Sequence, residues 1–104
     1  MRRSTVVGID ALAYYTLELT RPEDGWSQLP QLTADARQAS EEMQRSGIEV
    51  RFLRSVFLPD EDACFYLYQA SSAAAVRAAA ERASLAINAI SAAGKSLPRP
   101  VGGS

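Results

Sequence analysis

The chain has 104 residues, 47% of them hydrophobic, with 11 basic and 12 acidic side chains and a formal net charge of −1. That length builds one small domain around one core, and so even a charge balance offers no basic field to nucleic acid or an anionic membrane. Histidine is absent and Cys64 is the single cysteine, which excludes Ser-His and Cys-His nucleophiles, histidine-ligated metals, a histidine pH switch and an internal disulfide.

A reducing cytoplasm is the expected compartment for so cysteine-poor a chain. Two arginines precede Val6 and Val7, as in a signal peptide, but Asp10 interrupts the apolar run. No stretch approaches the roughly 20 apolar residues of a membrane span. The chain is therefore expected to be soluble and unexported. Residues 1–10 are expected to be a flexible leader and 11–93 the domain. Residues 94–104, rich in Gly, Pro and Ser, are expected to be a disordered tail.

Along the chain, Ala13 to Leu19 is dense in aromatic and aliphatic residues and predicts a first strand. Arg21 to Trp26 is a loop punctuated by Pro22 and Gly25. Ser27 is the expected cap of a helix with Pro30 in its first turn. Leu29, Leu32, Ala36, Ala39 and Met43 form its buried stripe, and Gly47 closes it in the left-handed conformation. Ile48 to Leu58 predicts a second strand. Strict alternation puts Ile48, Val50, Phe52, Arg54, Val56 and Leu58 on one face. Pro59 to Asp62 turns the chain, and Ala63 to Ala70 returns as a third strand with Cys64, Tyr66 and Tyr68 on a shared face. Ser71 or Ser72 caps a second helix, which buries Val76, Ala79, Ala80 and Ala83. Ile87 to Ala92 is a fourth strand.

This order, βαββαβ, is that of the ferredoxin-like split βαβ unit. It is an α+β fold with a four-stranded antiparallel sheet and two helices on one face. Both faces of the central hairpin carry large apolar groups, so the uncovered one is expected to be buried by a second copy. Packed sheet to sheet, the two form a dimeric α/β barrel.

The segment CFYLYQASSAAAVRAAAERA resembles the Cys-aromatic-x-Leu-Tyr-x-Ala-Pro-Ser…Ala-Val-Arg…Glu-Arg-Ala signature of a bacterial domain-of-unknown-function family. That family is common in actinobacteria, and its members are described as nickel-responsive or nickel-binding. YTLEL fits its first strand and VRFLRSVFLPDEDACFYLY its central hairpin, so the resemblance runs from about Tyr14 to about Ala93. It implies a ferredoxin-like fold and a homodimer. Leu53-Arg54-Ser55 stands where the family has Leu-His-Ser, Ser71 where it has proline, and Ser84-Leu85-Ala86 where it has Gly-Leu-Pro. Without histidine, nickel binding does not carry over from the resemblance, because nickel favours imidazole. No metal or cofactor is expected.

Five residues are candidate ligand contacts. Glu18, at a strand end, is a base or ligand anchor, or else a solvated or arginine-paired charge. Arg54, among apolar neighbours, meets Glu18 or another acid, or an anionic ligand. Cys64, Tyr66 and Tyr68 line a small-molecule pocket or simply pack a core or dimer interface. Trp26 either covers the barrel mouth or anchors its loop, and Asp60 to Asp62 form a solvated acidic turn or a weak cation site. Three functions fit this inventory. The first is a homodimeric binding module, with a small molecule or weakly held metal ion between the sheets. The second is a cofactor-free α/β-barrel enzyme, monooxygenase- or isomerase-like, and the third a purely structural dimerisation domain.

Overall fold

Seven residues, Ala13–Leu19, form β1 in the computed structural model, which describes residues 12–94. Leu29–Arg45 is α1, Val50–Leu58 β2, Ala63–Ala70 β3, Ala73–Arg82 α2 and Ile87–Gly94 β4. The strands lie in the order β2-β3-β1-β4 and every neighbouring pair is antiparallel. Each β–α–β crossover therefore leaves room for one strand of the other half, which is the ferredoxin-like arrangement. The expected leader and nearly all of the expected tail lie outside the described residues. No helix among the described residues is long and apolar enough to cross a membrane.

Each helix forms and stops for identifiable reasons. α1 begins at Leu29 with Pro30 in its first turn, but its cap position is Gln28 and no side chain caps it, so Ser27 does not play the expected part. Gly47, with φ of 92°, ends α1 in a Schellman motif: Gly47 N–H donates to Gln44 O and Ile48 N–H to Met43 O. Of the two serines before α2, Ser72 is the cap, its hydroxyl accepting from Ala75 N–H at 3.1 Å. α2 ends in the same motif, with Ser84 N–H on Glu81 O and Leu85 N–H on Ala80 O, but the left-handed position is Ser84 at φ 61°.

One core holds the two layers together. Ala36 and Met43 of α1 and Ala75, Val76, Ala79 and Ala80 of α2 meet Leu17, Leu19, Val50, Phe52, Cys64, Tyr66 and Tyr68 of the sheet. The alanines let α2 approach closely. Phe52 stands edge-on to both Tyr66 (5.0 Å) and Tyr68 (5.5 Å), and the Arg37 guanidinium covers its outer face at 4.9 Å. Across the helix surface, Arg82 donates to Glu42 at 2.8 Å, and this pairing holds the Glu42 carboxyl below the usual carboxylate range.

The second strand departs from the expected alternation. Phe52 pairs with Tyr68 and Arg54 with Leu67, leaving Leu53 as an extra, unpaired residue. This β-bulge inverts the parity of everything after it. Val50 and Phe52 face the helices; Arg54, Val56 and Leu58 face the other way, while Ser55 and Phe57 fall opposite Tyr66 and Cys64. The expectation that Arg54, Val56 and Leu58 share a face with Phe52 is thus corrected. Ser40 of α1, buried to 1% exposure, accepts the Phe52 N–H at 3.3 Å and satisfies this edge-strand donor beside the bulge. The strand starts at Val50, not Ile48, whose side chain is exposed.

Candidate functional site

The sheet face turned away from the helices carries the residues with unspent chemistry. Cross-strand pairing arranges them in rows. Arg54, Leu67, Thr16 and Ser91 form one row, and Val56, Phe65, Glu18 and Ala89 the next. Leu67 and Phe65 of β3 are therefore flanked by a guanidinium on β2 and a carboxylate on β1, and Arg51, Gln69 and Tyr14 form a further, polar row on the same face. Arg54 is exposed and Glu18 half-buried. Among the described residues the ion pairs are Arg21–Asp62 and Arg82–Glu42, so Arg54 and Glu18 do not pair within one copy.

Cys64, Tyr66 and Tyr68 lie on the opposite face, under the helices, each at 0% exposure. Tyr66 shares a 2.8 Å hydrogen bond with Thr33 Oγ1 of α1, and burial pushes its hydroxyl up to about 12. Tyr68 is pushed up further by burial, and its hydroxyl has no hydrogen-bond partner among the described residues. Burial likewise raises the Cys64 thiol, which removes the thiolate that nucleophilic or metal chemistry would need. The five candidates thus divide between two faces: Glu18 and Arg54 are brought together on the open one, while Cys64, Tyr66 and Tyr68 belong to the core. A single cavity lined by all five does not exist in one copy.

Two shallow clefts lie elsewhere. One, of about 310 Å³, sits at the C-terminal end of α1 against Glu49, Arg51 and Gln69. The other, of about 290 Å³, runs along the outer side of the helices between Asp35, Glu42 and Arg82. None of the five candidates lines either cleft.

The acidic turn is a clasp. Pro59–Glu61 is a single 3-10 turn, and Asp62 follows in the left-handed region at φ 55°. Trp26 Nε1 donates to Asp62 Oδ1 at 2.9 Å, and Arg21 engages Oδ2. Trp26 also meets Phe57 edge-on at 5.9 Å. Both Asp62 oxygens are taken by side chains of the Arg21–Trp26 loop, so Trp26 anchors its loop to the hairpin turn. Nothing in the local pattern of either segment announces this, because the partners are 36 residues apart.

With this geometry in view, a family model described as nickel responsive protein SCO4226-like matches residues 23–92, more than half of the chain. The chain belongs to the SCO4226-like nickel-responsive family. The match takes in α1, β2, β3, α2 and most of β4, and therefore Arg54, while Glu18 on β1 lies outside it. No curated protein and no solved structure matches the chain. Among the described residues of one copy, the nickel in the family's description finds no suitable set of donors. Nickel sites draw on imidazole and thiolate. Here histidine is absent, the one thiol is sealed beneath the helices, and no three His, Cys, Asp or Glu side chains gather among the described residues.

Proposed function

We propose that the chain is a small homodimeric binding module, two copies packing open face to open face and holding a small molecule in the space between the sheets. The observation that carries this reading is the open face itself. It has an apolar centre at Phe65 and Leu67, the latter already buried in one copy, with Glu18 and Arg54 beside it and unpaired among the described residues. Such a face resembles the lining of a ligand site, where a few polar groups orient a ligand against apolar walls.

Catalysis receives less support. Tyr66, Tyr68 and Cys64 are held protonated by burial and face away from the open side, which leaves Glu18 and the Tyr14 hydroxyl as the acid–base groups of the proposed space. A resident nickel ion is not part of this proposal, because the donor set does not suit one. In a family described as nickel-responsive, this member would occupy the same fold with a different ligand.

Native mass spectrometry of the protein as purified tests both halves of the reading. The expected spectrum shows a dimer carrying a small-molecule adduct that disappears on denaturation. A dimer with no adduct, before and after exposure to a cell-extract metabolite fraction, would reduce the module to structural dimerisation. A monomer would overturn the reading altogether.

A further inference from the structure

We infer that Arg54 and Glu18 form two symmetric interchain salt bridges, Arg54 of each copy meeting Glu18 of the partner subunit. This rests on the dimer reading above and names the residues that meet. It follows from the register of the sheet. Arg54 and Glu18 stand in adjacent rows two strands apart, about 10 Å across the sheet and about 7 Å along the strands. The point midway between them falls on β3, between Leu67 and Phe65.

Consider a twofold axis lying in the interface above that point and perpendicular to the Arg54–Glu18 line. It sets Arg54 opposite the partner's Glu18 and Glu18 opposite the partner's Arg54, so the contact is made twice, as an isologous interface requires. The strands of the two sheets then cross at about 70°, on the orthogonal side of sheet-on-sheet packing. Leu67 and Phe65 fall at the centre, and the ion pairs flank them, giving an apolar middle with a charged rim.

Charge complementarity makes the second copy the occupant. The face carries Glu18, Arg54 and, one row further along beside Gln69, Arg51; of these Glu18 and Arg54 stand at mirrored positions, where acid and base are complementary to a second copy of themselves. Covering it with an apolar surface would strand a carboxylate and a guanidinium without partners, which is costly for each. Bidentate carboxylate–guanidinium geometry further restricts the register in which two copies can dock.

Charge reversal tests the pairing. Sedimentation velocity at low salt is run on the wild-type chain, Arg54→Glu, Glu18→Arg and the double variant R54E/E18R. Each single reversal is expected to raise the dimer dissociation constant about tenfold or more, with the double variant returning to within about threefold of wild type. Should a reversal unfold the chain, as read by circular dichroism, Arg54→Gln and Glu18→Gln remove the charges singly and weaken the dimer by a smaller factor. A wild-type dimer indifferent to the single changes, or one the double variant fails to restore, overturns the pairing and leaves the dimer standing. A wild-type monomer overturns both.

Discussion

Ser84 occupies the left-handed position that ends α2, at φ 61°, with Leu85 behind it in the core. The equivalent position of α1 is Gly47, at φ 92°. A side chain in this conformation costs about 1–2 kcal/mol, and glycine gives back about 0.5–1 kcal/mol through its freer unfolded chain. Ser84→Gly is therefore expected to stabilise the fold by roughly 0.5–1 kcal/mol, read as a higher urea midpoint at unchanged slope. A lower midpoint would mean that the serine side chain contributes more than its conformation costs. This position was legible as a departure from Gly-Leu-Pro, but a residue string carries no φ angle. Other single residues were opaque. Asp62 reads as one more acid in a solvated turn until Trp26 and Arg21 are brought to it.

Among the elements, β2 separates pattern from structure most clearly. Its apolar residues occur at both parities, Val56 and Leu58 on one and Leu53 and Phe57 on the other, so alternation alone cannot locate a change of phase. The bulge at Leu53 decides it, turning Arg54 outward where unbroken alternation turns it toward the helices. Because Leu53 is the extra residue, removing it leaves Phe52 and Arg54 adjacent, opposite Tyr68 and Leu67 as now. Deletion of Leu53 is expected to cost less than about 2 kcal/mol and to keep a cooperative melt. Deletion of Ser55, two residues on, leaves no register that keeps both halves of the strand. It either moves Arg54 into the place of Ser55, on the helix side but exposed, or misfaces Val56 and Phe57, and is expected to cost more than deletion of Leu53 by about 1 kcal/mol or more. Thermal unfolding followed by circular dichroism distinguishes them, and equal losses for the two deletions would refute the bulge assignment. The helices were easier to read. Regular three- and four-residue spacing located α1, although the capping residue differed: Gln28 follows Ser27 and holds the cap position without a side-chain bond.

At the scale of the molecule, the question is what the two faces of the sheet are for. Both helices cover one face, and the apolar centre of the other passes between Arg54 and Glu18. The donor inventory allows a direct check on metal chemistry. Equilibrium dialysis against nickel chloride is expected to leave no more nickel with the protein than with a buffer control. Retention of a whole-number stoichiometry per chain would overturn the argument from the donor set. The expectation follows from the missing imidazoles and the buried Cys64.

The sequence by itself determined the order of elements, the ends of β1 and β3, the Gly47 stop, the absence of imidazole ligands and the family to which the chain belongs. These depend on local periodicity, on turn chemistry or on composition, all of which survive in a one-dimensional string. Only the tertiary structure decided which face each candidate occupies. It put Cys64, Tyr66 and Tyr68 into the core and set Arg54 and Glu18 together on the open side. The reason is physical: strand periodicity is two, so one unannounced bulge exchanges the faces, and which face the helices cover is settled by long-range packing rather than by any short stretch of residues.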